Sequence, residues 1–227
     1  VISVNPHQMG NMKFRFCLIL STLLMSCASS TEKEVVKTSG FELSDTTISF
    51  MWRGPKYDEE LGDTFSSILL NEDYLANISE QERAAIGYVA TFIGNECWWD
   101  GEANENYSNL DCTIISALGL GYQCSDKHLG FLRKWFETDS LVLTELEESN
   151  CPTIPYTATS QNTFNEITIT TKGNSIHIYF EAGGVNLRAQ ESWEWSETVH
   201  FTCDADHVEL IKKDKSPVEY ESFEMME

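Results

Sequence analysis

The chain has 227 residues, with 15 Lys and Arg against 36 Asp and Glu, a formal net charge of −21. So acidic a field repels nucleic acid and anionic lipid head groups, excluding them as electrostatic partners. It favours cations and basic proteins, and serves solubility as well. The length and apolar content suffice for a real core in one large domain or two small ones.

Val1 to Asn11 precede a start at Met12 and carry no fold logic, so they are set aside. Met12 to Ser26 reads as an export signal: Lys13 and Arg15 supply its positive region, and Phe16 to Met25 an apolar run too short to span a bilayer comfortably. It ends in Leu24-Met25-Ser26-Cys27, which resembles the lipobox of bacterial lipoproteins. That resemblance implies lipidation at Cys27 as the first residue of the mature chain. With Ala28 rather than Asp next, it also implies anchoring in the outer membrane, on the periplasmic or the surface face. No later run is long and apolar, so the lipid is the membrane attachment to expect. After Cys27 stand 13 basic and 36 acidic residues, a formal charge of −23. Residues 1–27 are thus leader and signal peptide, and the polar stretch 28–44, with Glu32 and Glu34, a flexible tether.

Thr46 to Trp52 alternates, with Ile48, Phe50 and Trp52 on one side, which predicts a short strand broken by Gly54-Pro55. Phe65 to Leu70, then Tyr74 and Leu75, reads as a short helix or turn. Ser79 and Glu82 form a capping box, so a helix should begin at Glu80. Behind it Ile86, Val89, Ile93 and Glu96, with Phe92 alongside, line one buried stripe that ends in a carboxylate. Gly87, Ala90 and Gly94 leave a smooth groove for a close neighbour. A second helix is expected from Ser108 or Asn109, capped by Ser108 with Asp111, with Leu110, Ile114, Ile115 and Leu118 as its face and Gly119 and Gly121 as its end. Ser125 caps a third, whose Leu129, Leu132 and Phe136 form a stripe widened by Phe131 and Trp135, with Arg133 and Lys134 facing water. None of these short helices would be stable alone.

Leu141, Val142, Leu143 and Leu146 form an apolar stretch readable as helix or strand. Cys151-Pro152 and Pro155 mark a crossing segment, and Thr157 to Thr163 a polar loop. From Phe164 the period becomes two. Ile167 and Ile169 lead to a turn at Lys172-Gly173-Asn174, and Ile176, Ile178 and Phe180 share a face before a turn at Gly183-Gly184. Trp193 and Trp195 alternate, as do Val199, Phe201 and Cys203, and Val208 and Leu210 follow a turn at Asp204-Ala205-Asp206. The expected class is α+β: a short N-terminal helical cluster, mainly 79–138, packed with a C-terminal antiparallel β-meander, mainly 164–213. One domain spans 45–216, and 217–227 is a loose acidic tail.

Setting aside Cys17 and Cys27, the exported chain keeps Cys97, Cys112, Cys124, Cys151 and Cys203, so disulfides are expected with one thiol left over. Cys97 should pair with Cys112 or Cys124, and Cys151 with Cys203. No spacing suggests zinc or a redox motif.

Asp100 to Asp111 sets the side chains of Asp100, Glu102, Asn104, Ser108 and Asp111 at loop positions 1, 3, 5, 9 and 12, with Asn106 offering a carbonyl at 7. This resembles an EF-hand loop and implies Ca2+ as a ligand. Glu105 in place of the bend Gly, the short Asp111 and the long Glu102 depart from that pattern and imply weak binding; a solvated acidic loop is the competing reading. Glu96 beside Trp98 and Trp99 would be partly desolvated, the setting of a general acid in glycoside-cleaving enzymes, with Asp100 or Glu102 as its partner carboxylate. His128, His177, His200 and His207 show no ligand spacing, although His177 and His200 can be neighbours on a sheet face. Trp193, Trp195 and Tyr179 are candidates for an aromatic platform. P-loop, dinucleotide, zincin and serine-hydrolase motifs are lacking.

Two functions compete. One is a lipid-anchored envelope lipoprotein acting as a non-enzymatic binding module, inhibitor-like, toward a basic protein or a glycan. The other is an envelope glycan-cleaving enzyme using Glu96, which would need a second carboxylate about 5 to 9.5 Å away across a cleft.

Overall fold

The computed structural model describes residues 41–60, 62–99, 110–148 and 160–223. In chain order these form β1 (Leu43–Asp58), β2 (Asp63–Leu70), α1 (Glu72–Leu75), α2 (Glu80–Phe92), β3 (Cys97–Trp99), β4 (Leu110–Cys112), α3 (Thr113–Ala117), α4 (Asp126–Trp135) and α5 (Ser140–Glu148). There follow β5 (Ser160–Gly173), β6 (Ser175–Asn186), β7 (Glu191–Cys203), β8 (Val208–Lys215) and β9 (Glu219–Ser222). The class is α+β, with a β-meander at the C-terminus. The sheet is larger than the meander, because its antiparallel order β2-β1-β5-β6-β7-β8 includes strands that precede the helices, and β9 also pairs with β7.

The two-residue alternation sorts the sheet into two faces. Ile169, Ile178 and Val199 lie side by side across three strands, as do Ile167 with Phe180 and Ile176 with Phe201, and all are buried. Burying each such side chain contributes about 1.5–3 kcal/mol. The helices cover this face: Tyr88 of α2 meets Phe201 edge-on at 5.9 Å and Phe136 at 5.4 Å. The other face carries Thr168, Thr170, His177, Tyr179, Thr198 and His200.

Several strand boundaries differ from expectation. Strand β1 runs through Gly54-Pro55, and Phe65 to Leu70 is neither helix nor turn but its hairpin partner. A bulge between Ser49 and Met51 buries both Phe50 and Met51 and turns Trp52 outward, 39% exposed. Gly183 and Gly184 continue β6 opposite Glu194 and Trp193, and the turn falls at 187–190, where Gln190 takes φ +54. Strand β5 begins inside the expected polar loop, and Glu219–Ser222 of the expected loose tail is a strand.

Helix α2 starts at Glu80 with both halves of its capping box formed, but it stops at Phe92, so Ile93 and Glu96 lie beyond it. Gly87 supplies the close approach expected, since a Cβ there would come within 2.8 Å of Leu120 Cδ1. The second helix is shorter than expected. Leu110–Cys112 is extended against β3, so Asp111 pairs with Trp98 in a ladder, and α3 starts only at Thr113 with no side-chain cap. Gly119 and Gly121, at φ +68 and +82, follow it in left-handed conformations. Ser125 caps α4 as expected. The ambiguous apolar stretch is the helix α5, because Asp139 Oδ1 accepts from the backbone of Leu141 and Val142 at 3.0 and 3.1 Å.

Candidate functional site

Strand β1 pairs with β5 only as far as Trp52 and Glu166, so beyond that point the β1–β2 ribbon forks away. The segment after α2 joins both sides of the fork. Gly94 O accepts from Phe164 N at 3.3 Å, an approach so close that a Cβ on Gly94 would collide with the Asn162 carbonyl oxygen. Glu96 follows with φ +52, a left-handed conformation that costs a non-glycine residue about 1–3 kcal/mol. Its side chain explains why the strain is tolerated. One carboxylate oxygen pairs with Arg53, and the other accepts from Ile68 N at 3.1 Å and Ser67 Oγ at 3.2 Å. Arg53 in turn donates to Phe164 O at 2.9 Å and to Thr163 Oγ1 at 2.5 Å. Glu96 is therefore a brace with both oxygens engaged. It stands beyond the end of α2 and not at the end of a helical stripe.

A buried polar cluster organises the turn region next to it. Asn95, fully buried, donates to Ala90 O at 3.2 Å and to Gln123 Oε1 at 3.1 Å, and its own oxygen accepts from Ile114 N at 3.2 Å. Gln123 donates to Thr91 O at 3.3 Å. Together they satisfy groups that the end of α2 and the start of α3 would otherwise leave orphaned. His128, also fully buried, accepts from Cys124 N at Nδ1, 3.0 Å. Its proton therefore sits on Nε2, 3.3 Å from Thr91 Oγ1. Burial pushes its pKa down to about 4.

Cys97 and Cys112 are bonded, one of the two expected pairings, and Cys124 is disulfide-bonded as well. Cys203 corrects the other expectation. It is a free thiol, buried at the end of β7, where it donates to Asn174 O at 3.3 Å and burial pushes its pKa up to about 12. It therefore does not pair with Cys151, which lies outside the described residues.

The aromatic platform does not assemble. Tyr179 stands opposite Thr198, whereas Trp193 and Trp195 alternate with that position and belong to the other face. Trp195 is 9% exposed beneath Lys215 Nζ, and Trp193 donates to Asn162 Oδ1 at 2.8 Å and packs on Tyr220. His177 and His200 do adjoin on the sheet face, with ring centroids 4.5 Å apart. Burial, His200 and Lys212 together lower the His177 pKa. His207 sits on the β7–β8 turn, where a hydrogen bond with Glu137 raises its pKa. The four histidines share no site.

A concave site lies elsewhere, where β7 exchanges neighbours. Strand β9 flanks β7 from Glu191 to Glu194 and β8 from Glu197 onward. The crossing is fixed at Ser196 and Ser216, which exchange hydrogen bonds of 2.8 and 2.9 Å. Beside it is a cavity of about 240 Å³ lined by Asn165, Glu181, Glu194, Trp195, Ser196 and Glu219 among others, with no basic side chain in its wall. Asn165 reaches it from a bulge between Phe164 and Glu166. Glu194 stands directly opposite Glu219, and Glu166 directly opposite Glu181, placements in which like charges repel. Tyr179 Oη donates to Glu181 at 2.7 Å, which raises the tyrosine pKa. Sequence alone could not assemble this site, because the opposition of the glutamates depends on register.

Of the calcium-loop residues, Asp100, Glu102, Asn104, Asn106 and Ser108 lie outside the described residues. Asp111 is in β4, its Oδ1 buried without a hydrogen-bond partner. Among the described residues no three His, Cys, Asp or Glu side chains are grouped to hold a metal ion, and no helix is long and apolar enough to cross a membrane. No protein-family model, curated protein or solved structure matches the chain.

Proposed function

We propose that the protein is a lipid-anchored lipoprotein of the cell envelope, held in the outer membrane through Cys27, that acts as a non-enzymatic binding module for a basic protein. The observation that carries this reading is the cavity at the crossing of β7, β8 and β9, a concave site with three glutamates and no base in its wall. The lipobox supports the address, and the formal charge of −21 supports attraction of a basic partner over distance. Glu96 is engaged by Arg53, Ser67 and Ile68, which supports a bracing role for it over a catalytic one.

The test has two arms. Full-length protein and Cys27→Ser are expressed in a bacterial host and fractionated. The wild type should enter the membrane fraction with a labelled fatty acid attached, and the variant should be released. Immobilised full-length protein should retain polylysine at physiological salt while leaving peptidoglycan intact. Peptidoglycan cleavage that is lost in Glu96→Gln would replace the binding reading with the enzymatic one.

A further inference from the structure

We infer that His177 and His200 form a chelating site for a divalent transition-metal ion, copper(II) foremost, on the open face of the sheet. This goes beyond the binding-module reading and is independent of the cavity at the β7 crossing. The two residues stand directly opposite each other on β6 and β7. Cys203 N donates to Asn174 O at 2.8 Å, which makes those two residues a hydrogen-bonded pair. Counting three pairs along the alternating ladder, His177 and His200 are a non-hydrogen-bonded pair, the kind whose side chains come closest. Their ring centroids are 4.5 Å apart. With metal–nitrogen bonds of about 2.0 Å, two imidazoles in neighbouring positions around one ion put their centroids about 4.5–5 Å apart. The spacing that a shared ion requires is therefore already present, and turning the rings about χ2, a broad torsion, brings a nitrogen of each to the ion.

A second observation points to a ligand. His200 Nε2 is buried without an aligned hydrogen-bond partner, although Asp214 Oδ2 lies 2.9 Å to its side. A buried ring nitrogen left in that state is costly, and an ion bound through it removes the cost. Asp214 shares the face of the two imidazoles, because it stands opposite Thr198 as Lys212 stands opposite His200. Its carboxylate pairs with the Lys212 ammonium. The site thus combines two nitrogen donors, a carboxylate beside them to offset the charge of the ion, and a lysine that competes for that carboxylate. Imidazole suits copper, nickel and zinc, whereas calcium and magnesium take oxygen, and copper binds most tightly of the divalent first-row ions. Two protein donors leave the remaining positions of the ion to water. Both histidines are partly exposed on the face turned away from the helices, so an ion reaches them from solvent.

The experiment is a titration of isotope-labelled full-length protein with copper(II) chloride, followed by the imidazole resonances and assigned with single histidine substitutions. Substoichiometric copper should broaden His177 and His200 together. His207 is the internal control, since it has carboxylates at 2.8 and 3.4 Å but no second imidazole, and it should broaden only at higher copper. His177→Gln and His200→Gln, checked for folding by circular dichroism, should each lower the affinity read from the broadening by about tenfold or more. The double variant should lose little beyond either single one, because the first substitution already breaks the chelate. Asp214→Asn should weaken binding by about tenfold, and Lys212→Met, which frees the carboxylate, should strengthen it. Excess calcium should leave the response in place. Broadening of His207 at the same copper concentration, or unchanged affinity in either single variant, would reduce the pair to separate surface imidazoles and overturn the assignment. Displacement of copper by calcium would also overturn it, by placing the ion on carboxylates.

Discussion

Arg53 and Glu96, 43 residues apart in the chain, form the ion pair that closes the fork between the β1–β2 ribbon and β5. Each end of the pair also holds backbone, Glu96 the amide of Ile68 and Arg53 the carbonyl of Phe164. Removing either leaves the other charge partly buried beside unpaired main-chain groups. Glu96→Ala and Arg53→Met should each destabilise by about 1–3 kcal/mol in urea unfolding. The double variant should cost less than their sum, because the two substitutions break one shared interaction. Glu96→Gly should be milder than Glu96→Ala by roughly 1 kcal/mol, since glycine relieves the left-handed backbone at this position. A Glu96→Ala protein as stable as wild type would show that the brace holds nothing.

The Cys97–Cys112 bond spans 15 residues and pins the two-stranded β3–β4 ladder immediately before α3. A closed loop of that length contributes about 3 kcal/mol by restricting the unfolded chain. Cys97→Ser/Cys112→Ser should lose stability on that scale in thermal unfolding. If its melting temperature matched wild type, the polar contacts of Asn95 and Gln123 would suffice to hold the ladder.

What was legible in the sequence was what is decided locally. Ser79 with Glu82 and Ser125 before His128 mark helix starts because a cap is satisfied within one turn, and both caps form. Residues 141–146 read equally as helix or strand in the sequence, and the contact that decides for helix is the cap by Asp139, two residues before Leu141. Glu96 stands out in the sequence as a carboxylate among apolar residues, but its partners come from residues 53, 67 and 68, which a local pattern does not bring together. Trp52, aligned with Ile48 and Phe50 by strict alternation, is turned outward by a bulge that a single sequence does not announce. Tyr179 and Trp195 could be assigned to one face or two only with the β6–β7 register in hand, and the same holds for Glu194 opposite Glu219.

Cys203 should be silent in the folded protein. Its thiol is buried and its pKa is pushed up to about 12, first by loss of solvation and then by Asp204 and Glu82, so at pH 8 almost none is thiolate. Iodoacetamide at pH 8, followed by peptide mapping, should leave Cys203 unmodified in native protein and modify it fully in denaturant. Rapid modification under native conditions would place the β7 end in solvent.

His128 gives the fold a defined sensitivity to acid. Its folded pKa is lowered from 6.5 to about 4 by burial, so between these values the unfolded chain binds a proton that the folded chain does not. Stability must therefore fall as pH drops through 6.5 and stop falling on this account below about 4. The full loss is on the order of 3 kcal/mol, from the shift between the two states. Protonation would also put a donor at Nδ1, where the ring now accepts from Cys124 N, so the charged form loses that hydrogen bond. His207 acts with the opposite sign, because its pKa is raised by Glu137 and its contribution is lost as pH rises. A comparison at each pH with His128→Gln, which keeps polar contacts and cannot titrate, subtracts His207 and the carboxylates. Urea unfolding at pH 7.5, 6, 5 and 4 should show wild type losing its advantage over His128→Gln as the pH falls. Parallel curves for the two proteins would mean that His128 is solvated or already charged in the folded state.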